Sequence, residues 1–140
     1  MRDKSDNVVE AKSYQFALSI IMVYKQLTQE KKEFVLSKQL VRSGTSVGSN
    51  VREAISAESK RDFVHKLSIA LKEAREAGYW LELLKDSEYI GNEVFLKVNA
   101  ECNEVVKIIS SIILTTKSRY LQEEESDYNL PDMSIYDSQI

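Results

Sequence analysis

Residues that form turns, disulfides or metal sites are scarce in this sequence. Its 140 residues include one proline and four glycines, too few for the corners of a β-rich fold. The single cysteine, Cys102, excludes an internal disulfide framework and fits a reducing cytoplasm. The first ten residues are polar and no apolar run reaches about 18 residues, so we expect neither a membrane span nor a secretory signal. These absences favour a single all-α domain in the cytoplasm.

The residues needed for several kinds of catalysis are also missing. A di-iron bundle needs Glu-x-x-His pairs on two helices, whereas His65 is the only histidine and no glutamate precedes it by three positions. Cys102 lies on an apolar helical seam, which favours buried filler over a nucleophile. Glu73, Glu76 and Glu82 have no pocket-forming loop near them for paired-carboxylate chemistry. We therefore predict no metal site, no cofactor and no enzymatic activity.

The charge is unevenly distributed along the chain. Residues 122–140 carry six acidic side chains and no Lys or Arg, whereas residues 1–121 carry 19 bases against 16 acids. We predict a bundle domain over 1–121 and a flexible acidic tail over 122–140. The slightly basic body is compatible with binding a polyanion, and the acidic tail disfavours strong nonspecific affinity.

Helical periodicity divides the body into four segments. The first spans about residues 8–28, the second about 34–56, and the third begins at Ser59 and ends in the turn DSEYIGN. Ser59 and Asp62 have the spacing of a capping box. The fourth carries a heptad-like seam from Phe95 to Ile112. Short connections between long helices predict an antiparallel up-down-up-down four-helix bundle.

The stretch QLVRSGTSVGSN, residues 39–50, has the composition of a phosphate-binding loop. It lacks the Lys-Ser/Thr pair and the preceding strand that such a loop needs. At ~100° per residue, Gly44 and Gly48 instead fall within or beside the apolar arc of the second helix. Ala74 and Gly78 on the third helix are small residues of matching size. We predict that these four positions allow close helix packing.

The opposite arc of the second helix is a polar stripe. It consists of Arg42, Ser46, Asn50 and Glu53. One interpretation is a solvated face supported by Arg–Glu attraction. The other is a polar network between subunits, in which Arg42 and Asn50 set the register of an oligomer.

Basic side chains cluster from the second helix into the third. Those that we consider candidates for phosphate contact are Arg42, Arg52, Lys60, Arg61 and Lys66. One copy is a modest patch and a solvated face is the default interpretation. Repetition around a symmetric oligomer would multiply the contacts to RNA or DNA.

Two neighbouring stretches resemble a known bacterial family. SKQLVRSGTSVGSNVREA, followed by SKRDFVHKLSIALKEAREAGYWLELL, is similar to the four-helix bundle proteins encoded in intervening sequences of 23S ribosomal RNA. The resemblance is dense from Phe34 to about Leu84 and covers the outer helices by pattern only.

The resemblance implies a homopentamer in which helices of neighbouring subunits pack around an axis. Relatives include accessory proteins of diversity-generating retroelements, which bind a reverse transcriptase and nucleic acid. The resemblance therefore implies RNA or DNA, a reverse transcriptase or another protein, and further copies of the chain as partners. We therefore predict a non-enzymatic oligomeric four-helix bundle that serves as a nucleic-acid or ribonucleoprotein accessory factor. The alternative function is a structural scaffold or protein–protein interaction module without a nucleic-acid role.

Overall fold

A computed structural model describes residues 3–128 of the chain, with side chains described as far as residue 126. Within that range it contains four α-helices and no strand: α1 (Lys4–Gln29), α2 (Leu36–Ile55), α3 (Lys60–Asp86) and α4 (Asn92–Tyr128). The predicted all-α class and the four helices are confirmed.

The helix starts follow local capping chemistry. The Ser59 hydroxyl oxygen accepts a hydrogen bond from the Asp62 N–H at 3.0 Å, as its spacing predicts. A complete capping box forms instead at α1, where the side chains of Asp3 and Asp6 each accept a hydrogen bond from the other's N–H. These side chains satisfy N–H groups that a helix start leaves without partners.

Apolar side chains from all four helices form one core. The bulkiest fully buried members are Phe16, Ile20, Leu27, Leu40, Leu67, Leu81, Leu84 and Ile109. The α4 seam follows the prediction from Phe95 to Ile109, but its next buried residue is Ile113, while Ile112 is half-buried. A step of four residues after Ile109 keeps the seam facing the core on a helix with about 3.6 residues per turn.

Each helix contacts its neighbours in sequence, and α1 also contacts α4. Within residues 3–128, no Cα atom of α1 lies within 8 Å of a Cα atom of α3, and the same holds for α2 and α4, so these pairs lie diagonally across the core. Between α1 and α4, Lys12 forms an ion pair with Glu104 at 3.1 Å. The helices therefore surround a shared core as a four-helix bundle.

Helix α4 extends seven residues beyond Leu121, where the periodicity ends. The predicted boundary between domain and tail thus falls inside a helix. Lys60 of α3 contacts this extension in a surface ion pair of 2.7 Å with Glu123. The rest of the predicted tail, residues 129–140, lies outside the described residues.

Candidate functional site

Arg42, the first residue of the predicted polar stripe, faces helix α3 of the same chain. Its guanidinium donates to Glu73 at 3.3 Å and to Glu76 in a shorter ion pair. Trp80 Nε1–H also donates to Glu76, at 3.3 Å. Burial raises the pKa of the Glu76 carboxyl, but these donors outweigh it and lower that pKa overall. The guanidinium of Arg42 is thus paired with two glutamates of the same chain.

The other members of the stripe bond mainly within their own helix. Ser46 Oγ–H donates to the Arg42 carbonyl at 2.6 Å, and Asn50 donates to the Ser46 carbonyl at 2.8 Å. Glu53 accepts an ion pair of 3.2 Å from Lys66 on α3. The charged ends of the stripe therefore join α2 to α3, and Arg42 and Glu53 do not pair with each other.

The predicted phosphate-contact residues differ in how many acids surround them. Arg52 lies 3.6 Å from Glu10 and stacks over the Tyr14 ring. Lys60 pairs with Glu123 on α4, and Lys66 pairs with Glu53 on α2. Arg61 is exposed, and no carboxylate in the described part of the chain lies within ion-pair distance of it. Four of the five candidates thus already have acidic partners.

The glycines of α2 pack against α1, not against the small residues of α3. A Cβ on Gly44 would lie 2.7 Å from Ile20 Cγ1, and one on Gly48 would lie 3.5 Å from the Ser13 carbonyl oxygen. Gly78 faces Cys102 of α4, and Ala74 is fully buried. The α2 glycines thus approach α1, which corrects the expectation that Ala74 and Gly78 of α3 would lie against them. Periodicity identifies the inward face without naming the neighbour.

Glu33 is a buried acid that the sequence pattern does not reveal. One of its carboxylate oxygens accepts from the N–H groups of Val35 and Leu36, at 3.0 and 2.8 Å. The other accepts from the Ser37 N–H at 2.7 Å. Burial raises the Glu33 pKa, but the three backbone donors outweigh it and lower the pKa overall. Glu33 therefore caps α2 from the preceding turn.

Cys102 has the surroundings of a structural thiol. Its S–H donates to the Ala74 carbonyl oxygen at 3.2 Å, and burial raises the thiol pKa to about 11. A thiolate is the reactive form of cysteine, and this site suppresses it. His65 is exposed on α3. In residues 3–128, no group of three or more His, Cys, Asp or Glu side chains could hold a metal ion.

We expect the native Cys102 thiol to resist alkylation at pH 8, where a pKa of about 11 leaves roughly one thiol in a thousand ionised. Iodoacetamide labelling followed by mass spectrometry measures the rate. Chemical denaturation serves as the control and should restore the rate of an ordinary thiol. Rapid labelling of the folded protein would contradict the buried placement.

The outer side of α1 carries apolar side chains that the bundle does not cover. Val8, Leu18 and Met22 are 46%, 42% and 69% exposed and lie opposite the buried seam of the same helix. Exposed apolar side chains on the side of a helix away from the core are candidates for burial in a larger assembly. We call Val8, Leu18 and Met22 the outer α1 face.

No helix within residues 3–128 is both long and apolar enough to cross a membrane. No curated protein is significantly similar to the chain. A solved structure of a protein of unknown function from Bacteroides thetaiotaomicron, of the S23 ribosomal protein family, is 54% identical. The match has a TM-score of 0.77 and covers 78% of this chain and 97% of the other. A model of the 23S rRNA-intervening sequence protein family matches residues 5–111. The chain therefore belongs to the 23S rRNA-intervening sequence protein family.

Proposed function

We propose that this chain is a non-enzymatic, cytoplasmic assembly module whose copies join into a ring, most simply the pentamer that the family resemblance implies. The observation that carries this proposal is the outer α1 face. Each of its three side chains has an apolar surface that the bundle leaves in water. Burying such surface between subunits would stabilise an oligomer by about 25 cal/mol per Å².

The order of contacts supports an antiparallel arrangement of the helices within each subunit. Arg42, early in α2, pairs with Glu76, late in α3, whereas Glu53, late in α2, pairs with Lys66, early in α3. Two neighbouring helices are antiparallel when the start of each lies beside the end of the other, and these two ion pairs support that arrangement for α2 and α3. An up-down-up-down subunit leaves the outer side of α1 free for a neighbour.

We also propose that the protein has no catalytic activity. Cys102 is buried and its pKa is raised, and its S–H is engaged by a backbone carbonyl. The acids Glu73 and Glu76 are bound to Arg42, which leaves neither as a free general base. These placements support a structural role for the side chains that most resemble catalytic groups.

Light scattering tests the assembly. We expect the unaltered chain to have a mass five times that of one 16.1 kDa subunit. Leu18→Glu with Met22→Glu should shift the mass to that of a single chain, because charged side chains would have to be buried at the interface. Leu114→Glu is the matched control, since Leu114 of α4 is 69% exposed, the same as Met22. A monomeric mass for the unaltered chain would refute the proposal.

Nucleic-acid binding is a second candidate function, favoured by the exposure of Arg61 without an acidic partner in the described chain. The ion pairs of Arg52, Lys60 and Lys66 lie at the surface, where such pairs contribute only about 0–1 kcal/mol. A phosphate could therefore compete for these cations. A reverse transcriptase remains a partner implied by the resemblance alone.

Salt-dependent binding of RNA and DNA tests this second candidate. Arg61→Glu should weaken binding and reduce the slope of log affinity against log salt, because fewer counterions are released. Arg75→Glu is the matched control, since it makes the same charge change at another exposed position of α3. Equal effects of the two variants, or no binding at low salt, would count against a nucleic-acid role for this patch.

A further inference from the structure

A groove lies between the start of α3 and the extended end of α4. It has a volume of about 410 Å³, and its lining consists of Lys60, Arg61, Val64, Thr116, Lys117, Tyr120 and Leu121. Tyr120 and Leu121 are 48% and 57% exposed, so apolar surface faces solvent here. The groove is separate from the outer α1 face and from the buried core.

The α4 side of the groove belongs to the part of this chain beyond its family match. That match ends at residue 111, whereas the groove uses α4 residues 116–121. The extension of α4 and the segment that follows it are thus features that the family model does not cover. Because the α4 extension forms one side of the groove, the segment that follows it in the chain, residues 129–140, is the candidate occupant.

The charges of the groove and the following segment are complementary. Lys60, Arg61 and Lys117 line the groove. Lys60 already pairs with Glu123, whereas Arg61 and Lys117 have no ion-pair partner among the described residues. Residues 129–140 carry two acids, Asp132 and Asp137, and no Lys or Arg. Attraction between unlike charges at the edge of an apolar contact favours association and fixes its orientation.

The segment also has suitable apolar side chains within reach. The sequence NLPDMSIYDSQI includes Leu130, Met133, Ile135 and Tyr136. Leu121 lies seven residues before the end of α4, a distance of about 10 Å at ~1.5 Å per residue. Returning that far along α4 takes about four extended residues at ~3.3 Å each, which brings the side chains from Met133 onwards to the groove. A proline cannot continue a helix, so Pro131 favours a change of direction there.

We propose that residues 129–140 fold back onto their own chain and occupy this groove, with Ile135 and Tyr136 against Val64 and Leu121. Asp132 and Asp137 then lie near the three basic side chains of the groove. The docked segment shields Arg61 from other anions. This contact goes beyond the proposed assembly and depends on neither the outer α1 face nor nucleic-acid binding.

Photo-crosslinking in the full chain tests the proposal. A benzoylphenylalanine replaces Tyr136 in one sample and Ser134 in a second, so that the second leaves the proposed aromatic anchor intact. Each protein is mixed with an equal amount of unsubstituted 15N-labelled chain before irradiation. We expect cross-links within one chain, to residues 60–64 or 116–121, located by mass spectrometry.

Leu121→Asp in the same protein should lower the yield of these cross-links about fivefold, equivalent to about 1 kcal/mol. Leu96→Asp is the matched control, because Leu96 is 58% exposed on the same helix but lies outside the groove. It should leave the yield unchanged. Cross-links scattered over the surface, cross-links to labelled chains, or equal yields in the two variants would each overturn the proposal.

Discussion

Replacing Glu33 with alanine is expected to lower the free energy of unfolding by about 3 kcal/mol. The change removes one carboxylate that accepts three backbone N–H bonds, from Val35, Leu36 and Ser37. Hydrogen bonds to a charged group contribute about 1.5–3 kcal/mol, and the N–H groups left behind would be partly buried. Loss of an ordinary helix cap costs about 1 kcal/mol. The loss expected for Glu33→Ala is larger because three hydrogen bonds are removed at once.

Glu33→Gln separates the charge from the shape of this cap. Glutamine keeps one acceptor oxygen. Its NH2 group takes the place of the other oxygen and faces a backbone N–H, so that two donors meet and one hydrogen bond is lost. We therefore expect a loss of roughly half that of Glu33→Ala. Urea denaturation at one fixed protein concentration measures both losses. Glu30→Gln is the matched control, because Glu30 is an exposed glutamate three residues away.

The effect of Glu33 has a defined pH dependence. The folded-state pKa of this carboxyl is lowered from its ordinary value of 4.5. A lowered pKa means that the stabilisation is full above pH 4.5 and is lost as the pH falls through the folded-state pKa. The stability difference between the unaltered chain and Glu33→Gln should therefore be constant at neutral pH and shrink in acid. A difference that grows in acid would contradict the carboxylate cap.

Periodicity predicted the four helices and the α4 seam because both depend on local sequence. A stripe of apolar residues such as Phe16, Ile20 and Leu27 identifies its own buried face without reference to other helices. Periodicity does not reveal what lies opposite that face. For this reason the sequence identified Gly44 as a packing residue and assigned it to the wrong neighbour.

Glu33 escaped sequence analysis because its role depends on the path of a turn. The α1–α2 connection places Lys32 in the left-handed region, at a φ of 54°, and brings the next side chain over the start of α2. In the sequence QEKKE, Glu33 resembles its exposed neighbours. A charge pattern alone does not distinguish a solvated acid from one that caps a helix.

The end of α4 was missed for a different reason. Residues 122–128 lack apolar periodicity, so the sequence predicts a tail there. Glutamate is nevertheless a good helix former, and Lys60 ties Glu123 to α3. A polar extension of a helix that is already formed adds about one hydrogen bond for each residue fixed and needs no apolar face of its own.

The ion pairs also change the interpretation of the basic cluster. In sequence, Arg42 and Lys66 contribute to one positive patch between α2 and α3. In the structure, acids of the facing helices neutralise both, and Arg42 is held by two of them. Binding of a polyanion at Arg42 would have to replace contacts that join α2 to α3. Arg61 carries no such cost and is the better probe of nucleic-acid binding.

Replacing Gly44 with alanine is expected to lower the free energy of unfolding of the bundle by about 2 kcal/mol. This loss is expected even though the helix propensity of alanine is about 1 kcal/mol more favourable than that of glycine. The new Cβ would lie 2.7 and 2.8 Å from the two Cγ atoms of Ile20 and 3.1 Å from its Cβ. Ile20 is fully buried, and its β-branched side chain has little rotamer freedom in a helix. Either α1 or α2 must therefore move.

Gly78→Ala is the matched control for Gly44→Ala. Its new Cβ would meet nothing closer than Cys102 Sγ, at 3.6 Å, which is ordinary contact. We expect this variant to be neutral or stabilised by up to about 1 kcal/mol. Opposite signs for the same substitution in two helices would isolate the contact with Ile20 from helix propensity.

A double-mutant cycle with Ile20→Ala identifies the atoms responsible. Ile20→Ala alone should cost about 2–5 kcal/mol, because it leaves a cavity in the core. It also removes both Cγ atoms that obstruct position 44. In that background Gly44→Ala should become nearly neutral or stabilising, with a coupling energy of about 2 kcal/mol measured by urea denaturation. Additive effects would mean that the glycine serves a neighbour other than Ile20, whereas coupling would place the α1–α2 contact at the centre of the sequence signature QLVRSGTSVGSN.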